Sequence, residues 1–177
     1  MRIEPATLSD VDRMNEISEA AKVAMRGMGI DQWQDGYPNR ACWQADVKDG
    51  FAYVVRDDEG RVVGAFAFVA DAETRDPEPS YGAIDGAWLT RDAKYAAIHR
   101  VCVAPEAKGR GVAGKMFDFS CEKARELGLS SLRIDTHAGN APMQRALSKA
   151  GFSRCGTIVL VDGVDAGSSR IAFEKLV

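Results

Sequence analysis

The chain has 177 residues, of which 46% are hydrophobic and 28% are charged, and its formal net charge is −3. This size and composition predict a globular protein in which residues 1–177 form a single domain. The acidic balance argues against a nucleic-acid binder, whose affinity depends on Lys and Arg neutralising phosphates. Four widely separated cysteines and the lack of a membrane-length apolar stretch predict a cytoplasmic protein with reduced thiols and no structural metal.

The first half of the chain predicts a strand, two helices and an antiparallel hairpin. MRIEPA has the pattern of a strand, and Ser9 followed by Asp12 has the pattern of a capping box at a helix N-terminus. The apolar stripe of this helix, which ends near Gly27, is Val11, Met14, Ile17, Ala21 and Met25. A second helix is predicted from about Arg40 to Val47. FAYVVR and RVVGAFAFVA flank a turn and predict the hairpin.

The second half predicts a strand–helix–strand unit among further strands. After an exposed connection at 71–82, IDGAWL and AAIHRVCV are predicted strands. A helix should end at Gly128, and the strand SSLRIDTH after it should pair in parallel with the strand before it, through a right-handed crossover. Asn140 should cap a helix that has Pro142 in its first turn. FSRCGTIVLV and SSRIAFEKL close the chain as strands, so the fold class is mixed α/β.

The stretch VAPEAKGRGVAGKM, residues 103–116, combines glycines with cations just before a predicted helix. Gly109 and Gly111 let the backbone approach a ligand closely, and the helix start presents free amides and a partial positive charge. Three cations add formal positive charge around it: Lys108, Arg110 and Lys115. The stretch therefore predicts a site for a small phosphorylated ligand.

Two phosphate-binding patterns fit this stretch. From Lys108 it spells K-x-x-G-x-A, which is close to one kind of phosphate loop. From Gly109 it spells G-x-G-x-x-G, the dinucleotide pattern, and Asp135 follows about 20 residues later, where an acid that binds ribose is expected. However, Pro105 and its neighbours separate the preceding strand from Gly109, whereas a dinucleotide turn follows its strand directly. Only one parallel crossover is predicted, which is too few for a doubly wound sheet.

The run IHRVCVAPEAKGRGVAGKMF, then LRIDTH, then NAPMQRALSKAGF, resembles the GNAT superfamily of acyl-CoA-dependent N-acyltransferases. The resemblance implies a central, mostly antiparallel sheet of about six to seven strands, with one parallel strand–helix–strand crossover and flanking helices. It also implies acetyl-CoA as co-substrate and a Q/R-x-x-G-x-G/A loop that binds the CoA pyrophosphate through backbone amides. Lys108 replaces the usual Gln or Arg and keeps a donor there.

The resemblance assigns cofactor contacts residue by residue. The pyrophosphate loop would comprise Lys108, Gly109, Arg110, Gly111, Val112, Ala113 and Gly114. The backbone of Val101, Cys102 and Val103 would pair with the pantetheine arm and polarise the thioester carbonyl. Asn140 would contact the pantetheine or the phosphates. Leu147 departs from the family pattern, since many members carry there a tyrosine that protonates the leaving thiolate.

Acetyl transfer to an amine needs a proton acceptor, because an alkylamine has a pKa of about 10 and is mostly protonated at neutral pH. The chain has two histidines, His99 and His137, on the strands that would flank the thioester. Histidine suits acid–base work, but His99 could instead pack within the sheet and His137 could be a hydrogen-bonded strand end. Asp135 faces away from its strand neighbours and could orient a histidine or hold the substrate amine.

The acceptor side is expected in segments where aromatic and acidic residues mix. They contain Trp33, Tyr37, Tyr81 and Trp88 together with Asp31, Gln32, Asp35 and Asp85. Each aromatic could simply be packing. We expect a pocket formed by Trp33, Tyr81, Asp85 and Trp88 that favours a cationic amine through ionic and cation–π contacts.

The sequence thus predicts an N-acetyltransferase that moves an acetyl group from acetyl-CoA to a small-molecule or amino-acid-like amine by direct attack. A covalent relay through Cys102 is disfavoured by its apolar strand. Two alternatives stay open: a CoA-binding regulatory module without activity, which Leu147 favours, and an NAD-dependent oxidoreductase. No nucleic-acid or membrane partner is expected, and the sequence leaves open whether the chain forms a homodimer.

Overall fold

The computed structural model describes residues 1–70, 78–91 and 93–177, so most of the predicted connection at 71–82 lies outside the described residues. The helices are α1 (Val11–Gly27), α2 (Arg40–Lys48), α3 (Val112–Glu126) and α4 (Ala141–Lys149). The strands are β1 (Arg2–Pro5), β2 (Ala52–Arg56), β3 (Val62–Val69), β4 (Ile84–Gly86), β5 (Tyr95–Val103), β6 (Ser131–Thr136), β7 (Ser153–Val159) and β8 (Ser169–Leu176). The strand order in the sheet is β1-β2-β3-β5-β6-β8-β7-β4.

The chain divides into two compact units. One comprises Met1–Phe68 and His99–Met116, and the other comprises Val69–Ile98 and Phe117–Val177. Strand β5 contributes residues to both units. The single domain predicted from the sequence stays a prediction. Across the described residues, no helix has the length and hydropathy that a membrane span requires.

Antiparallel pairing builds the sheet of the first unit. Ile3 of β1 pairs with Val55 of β2, and Val54 of β2 pairs with Ala65 of β3. Every residue of β3 is buried, as expected for a near-continuous apolar strand that is covered on both faces. The predicted stripe of α1 is buried at Val11, Met14, Ile17 and Met25 and half-buried at Ala21.

The start of α1 differs from the predicted cap at Ser9. A 3₁₀ turn that ends at Asp10 precedes the helix, and Asp10 accepts hydrogen bonds from the amide and the hydroxyl of Thr7, at 2.9 and 2.8 Å. Asp12 forms an ion pair with Arg40 instead of completing a capping box. The prediction was wrong because Thr7 and Ser9 are equally competent caps by residue type, and only the 3₁₀ turn decides between them.

The second unit contains the parallel pair expected of the crossover. Tyr95 of β5 pairs with Ser131 of β6, and Ala97 pairs with Arg133. Strand β6 then pairs antiparallel with β8, and β8 with β7. Among the described residues, the mostly antiparallel sheet with one parallel pair is therefore confirmed, and it has eight strands rather than six or seven. It is not the doubly wound parallel sheet that the dinucleotide interpretation requires.

Strand β4 pairs antiparallel with β7 at the edge of the sheet. Gly86 of β4 lies opposite Gly156 of β7. A Cβ at Gly86 would collide with the carbonyl oxygen of Cys155, and a Cβ at Gly156 would collide with that of Asp85. The two backbones approach so closely that only glycine fits at either position.

Candidate active site

The glycine stretch forms the start of α3. A 3₁₀ turn leads from β5 into residues 108–111, which are exposed, and α3 begins directly after them. Gly109 and Gly111 both have a φ of 78°, a left-handed conformation that glycine adopts without strain. The amide of Lys115 donates to the carbonyl of Gly111 at 3.1 Å. The amides just before it therefore belong to the first turn, where an α-helix leaves its donors without intrahelical acceptors.

The loop fits a pyrophosphate. A Cβ placed on Gly109, Gly111 or Gly114 would meet no other atom within 4 Å, so the space over the backbone is open. The cations of the loop are all exposed: Lys108, Arg110 and Lys115. Free amides, the positive end of the helix dipole and these cations each stabilise a bound anion. The residues present thus fit the diphosphate of CoA.

Strand β5 carries the residues assigned to the pantetheine arm. Val101 and Cys102 are buried, and Val103 is half-buried. The Cys102 thiol contacts the carbonyl oxygen of Ala65 at 3.5 Å, and burial raises the pKa of this thiol to about 12. Because the thiolate is the nucleophilic form, Cys102 is not equipped for a covalent relay at physiological pH.

Arg100 is a feature of β5 that the sequence did not reveal. Its φ of 56° is left-handed, which is uncommon for a residue other than glycine. Its guanidinium donates to both carboxylate oxygens of Asp46 in α2, at 2.7 and 2.6 Å, and to the Tyr37 hydroxyl at 2.5 Å. These charge-assisted bonds to a buried carboxylate hold the strained backbone of Arg100 in place.

The expected acceptor residues between α1 and α2 divide into packed and exposed groups. Trp33 is buried, and its ring meets that of Tyr37 edge to face, with the centroids 6.5 Å apart. Gln32 is half-buried, whereas Asp31 and Asp35 are exposed. Trp33 therefore packs inside the folded segment between α1 and α2.

In the second unit, Asp135 and Tyr81 are joined by a hydrogen bond. The buried Tyr81 hydroxyl donates to Oδ1 of Asp135 at 2.9 Å, and Asp135 is half-buried near the end of β6. Burial raises the pKa of Asp135 to about 6, although the Tyr81 hydrogen bond favours the carboxylate. Burial and the nearby Asp135 charge raise the pKa of Tyr81 well above its usual range, so the phenol remains a donor. Asp135 can therefore exchange a proton near neutral pH.

Trp88 and Tyr81 pack within the second unit. The Tyr81 ring lies 5.1 Å from that of Trp88 and 6.2 Å from that of Tyr95, between centroids. The Arg133 guanidinium lies over the rings of Trp88 and Tyr95, at 4.2 and 4.1 Å. Trp88 therefore makes a cation–π contact with Arg133 inside this unit, and its contact with a substrate amine stays a prediction. Asp85 is exposed on β4.

Glu174 is a fully buried carboxylate that the sequence analysis missed. It accepts hydrogen bonds from Ser131 Oγ at 2.6 Å, Thr90 Oγ1 at 2.5 Å, Arg133 Nε at 3.0 Å, and the amides of Thr90 and Leu89. Burial opposes its ionisation, but the bonds from Ser131, Thr90 and Arg133 outweigh burial and lower the pKa of the Glu174 carboxyl. This ion pair holds Arg133 over the aromatic rings.

His137 and Asn140 shape the turn before α4. Nδ1 of His137 accepts a hydrogen bond from the amide of Gly139 at 3.0 Å. Oδ1 of Asn140 accepts one from the amide of Met143 at 3.2 Å, so the predicted helix cap is confirmed. The His137 ring therefore makes the hydrogen bond expected of a residue that closes the end of a strand.

His99 and Leu147 complete the predicted set. His99 is half-buried on β5, and Leu147 is fully buried in α4. Leu147 has no proton to give to a leaving thiolate. A thiol of pKa near 8.5 can leave without a proton donor, so this position does not exclude transfer.

The sequence matches a family model over most of its length. Residues 13–152 match the acetyltransferase (GNAT) family. A curated protein of Arabidopsis thaliana, GCN5-related N-acetyltransferase 6, chloroplastic, is 34% identical over 59 residues, which are 33% of this chain. The matched stretch spans only 20% of that protein's length.

Solved structures are similar to nearly the whole chain. A GNAT family acetyltransferase from Streptococcus agalactiae 2603 has a TM-score of 0.83 and 30% identity, covering 99% of this chain and 95% of its own. A ribosomal-protein-alanine N-acetyltransferase from Brucella melitensis has a TM-score of 0.67 and 21% identity over 100% of both chains. The yncA structure from Salmonella typhimurium, solved with its cofactor acetyl-CoA, has a TM-score of 0.66 and 18% identity, covering 99% and 93%. By its family match and its fold, the chain belongs to the acetyltransferase (GNAT) family.

Proposed function

We propose that the protein transfers an acetyl group from acetyl-CoA to the amino group of a small-molecule or amino-acid-like acceptor. Family membership supports acetyl transfer in general. The observation that carries the cofactor assignment is the start of α3, where open space over three glycines is surrounded by three exposed cations. The yncA structure, which has the same fold, was solved with acetyl-CoA.

The chain's own residues have distinct tasks in this proposal. The amides of Gly109 and residues 111–114 bind the pyrophosphate, since those of Lys108 and Arg110 donate to the carbonyls of Pro105 and Ala107 at 3.3 Å. The backbone of residues 101–103 binds the pantetheine arm. Asn140 uses Oδ1 to cap α4, which leaves its amide group for the cofactor. When bound, acetyl-CoA supplies an activated thioester. The high pKa of the Cys102 thiol supports direct attack by the acceptor rather than a relay.

We assign the proton-accepting role to Asp135. With a pKa of about 6 it is mostly ionised at neutral pH, where it can pair with the acceptor's ammonium group. The acceptor's ammonium group loses one proton to Asp135, directly or through a water, and the neutral amine attacks the thioester carbonyl. As the amide bond forms and the carbon–sulfur bond breaks, the nitrogen gives its second proton through water to the leaving thiolate, which departs as the thiol. His99 and His137 are the second candidates for this role, and Asp85 is an exposed carboxylate for acceptor recognition.

Thermal unfolding with acetyl-CoA, dephospho-CoA and NADH at equal concentrations tests the cofactor assignment. Acetyl-CoA at 100 times its dissociation constant should stabilise the protein by about 2.7 kcal/mol. Dephospho-CoA should stabilise it less, because the cations around the loop then lose the 3′-phosphate as a partner. Stabilisation by NADH alone would overturn the assignment in favour of the dinucleotide interpretation.

A CoA-binding module without catalysis is the second candidate, favoured by the apolar Leu147. Such a module would be stabilised by acetyl-CoA but would release no free thiol with any amine. Thiol release measured against a panel of amines and amino acids separates the two functions.

A further inference from the structure

Resting on the role proposed for Asp135, we propose that Tyr81 is a positioning residue that holds this carboxylate through the hydrogen bond from its hydroxyl to Oδ1. In this arrangement Tyr81 touches neither cofactor nor acceptor. It acts through Asp135. Its hydrogen bond helps to set the pH at which the proton acceptor becomes available.

Tyr81 is fixed from several sides. It is 2% exposed, and its ring packs against those of Trp88 and Tyr95. Its carbonyl accepts a hydrogen bond from Nε1 of Trp88 at 3.0 Å, and its amide donates to the carbonyl of Glu78 at 3.0 Å. A phenol held this firmly keeps its hydroxyl aimed at Asp135 at little further cost in side-chain entropy.

The hydrogen bond divides the tasks of the two Asp135 oxygens. Oδ1 accepts the bond from the Tyr81 hydroxyl at 2.9 Å. Oδ2 is then the oxygen that takes up the acceptor's proton. Because a carboxylate accepts hydrogen bonds more strongly than a carboxylic acid does, the phenol stabilises the form of Asp135 that acts as a base.

Glu78 acts in the opposite direction. Its Oε1 accepts the amide of Ser80 at 2.9 Å, which places its carboxylate at the start of the 3₁₀ turn that carries Tyr81. Repulsion from Glu78 raises the pKa of Asp135, to which burial makes the largest contribution.

Arg170 of β8 carries a positive charge that lowers the pKa of Asp135. Asp135 pairs in register with Ala172, two residues along β8 from Arg170. Asp165 accepts a hydrogen bond from Arg170 at 2.8 Å. His137 lies two residues beyond Asp135 on the same chain, with Nδ1 occupied by Gly139.

The experiment compares the pH dependence of kcat/KM for Tyr81→Phe and Glu78→Gln with that of the wild type, by thiol release with an amine that the wild type acetylates. Tyr81→Phe removes the donor and should move the acid limb to higher pH by about 0.5–1 unit, the equivalent of one hydrogen bond. Glu78→Gln removes the repulsion and should move the limb to lower pH, while the amide oxygen can still cap the turn. A merely structural role would not produce shifts of opposite sign.

Direct titration keeps the proposal falsifiable if Tyr81→Phe folds poorly. Carboxyl resonances of the full-length protein labelled with ¹³C-aspartate can be followed with pH, and Asp135→Asn identifies the Asp135 signal. A higher midpoint in Tyr81→Phe, together with a lower one in Glu78→Gln, supports the proposal. Unchanged midpoints, or shifts of the same sign in both variants, overturn it without touching the proposed function. Undiminished activity in Asp135→Asn would instead show that Asp135 is not the proton acceptor, which contradicts the proposed function.

Discussion

Asp135→Asn should lower kcat/KM for the acceptor amine by about 10²- to 10⁴-fold at neutral pH, the usual contribution of a general base. Asn is nearly isosteric with Asp and its carbonyl oxygen can still accept the Tyr81 hydrogen bond, so the fold should persist. The wild type should lose activity tenfold per pH unit below about pH 6, as Asp135 becomes protonated. This acid limb should be absent in the variant. Initial rates of thiol release on both sides of that pH measure the effect.

Two controls make the outcome specific to Asp135. The variant should be stabilised by acetyl-CoA as much as the wild type, which separates lost catalysis from lost binding. Asp118→Asn changes an exposed carboxylate on α3 and should leave the rate unchanged. If Asp135→Asn keeps an activity within about threefold of the wild type, the proton acceptor is His99 or His137 instead.

Glu174→Ala should destabilise the protein by about 3–5 kcal/mol, the range for removing one partner of a buried ion pair. The change leaves the Arg133 guanidinium without its carboxylate in a site where its side chain is only 8% exposed. It also leaves the hydroxyls of Ser131 and Thr90 without their acceptor. Equilibrium unfolding in urea measures the loss as a lower midpoint.

The double variant Arg133→Met/Glu174→Leu should recover much of this stability, because apolar residues can replace a buried ion pair at little cost. Glu122→Ala, an exposed site on α3, should change the free energy of unfolding by no more than about 0.5 kcal/mol. Since the folded-state pKa of Glu174 is lowered, its contribution to stability is complete above the ordinary glutamate pKa of 4.5. This contribution is lost as the pH falls through the lower folded-state pKa. A loss below about 1 kcal/mol for Glu174→Ala would contradict the role of the pair.

Features with a local cause could be predicted from the sequence. The cap of α4 by Asn140 and the stripe of α1 depend on residues within a few positions of one another. The glycine stretch was predicted as a helix start for the same reason, because glycines, cations and helical spacing are contiguous in the chain.

Side-chain contacts between distant residues could not be predicted, although the parallel pairing of β5 with β6 was. Tyr81 and Asp135 are 54 positions apart, and Ser131 and Glu174 are 43 positions apart. Nothing in the SSRIAFEKL pattern distinguishes a buried Glu174 from an exposed one, because the donors that stabilise it lie on other elements. The prediction of a cap at Ser9 was wrong for a local reason. A 3₁₀ turn precedes α1, and Thr7 is the residue that caps this turn.

The contact between β4 and β7 limits how this part of the chain can diverge over evolutionary time. A side chain at Gly86 or at Gly156 would have to push the two backbones apart. A second substitution at the facing glycine could not compensate for the first, because it would add another Cβ to the same gap. Proteins that descend from this sequence can therefore change Asp85, which is exposed beside the contact. They must either keep both glycines or lose the pairing of β4 with β7.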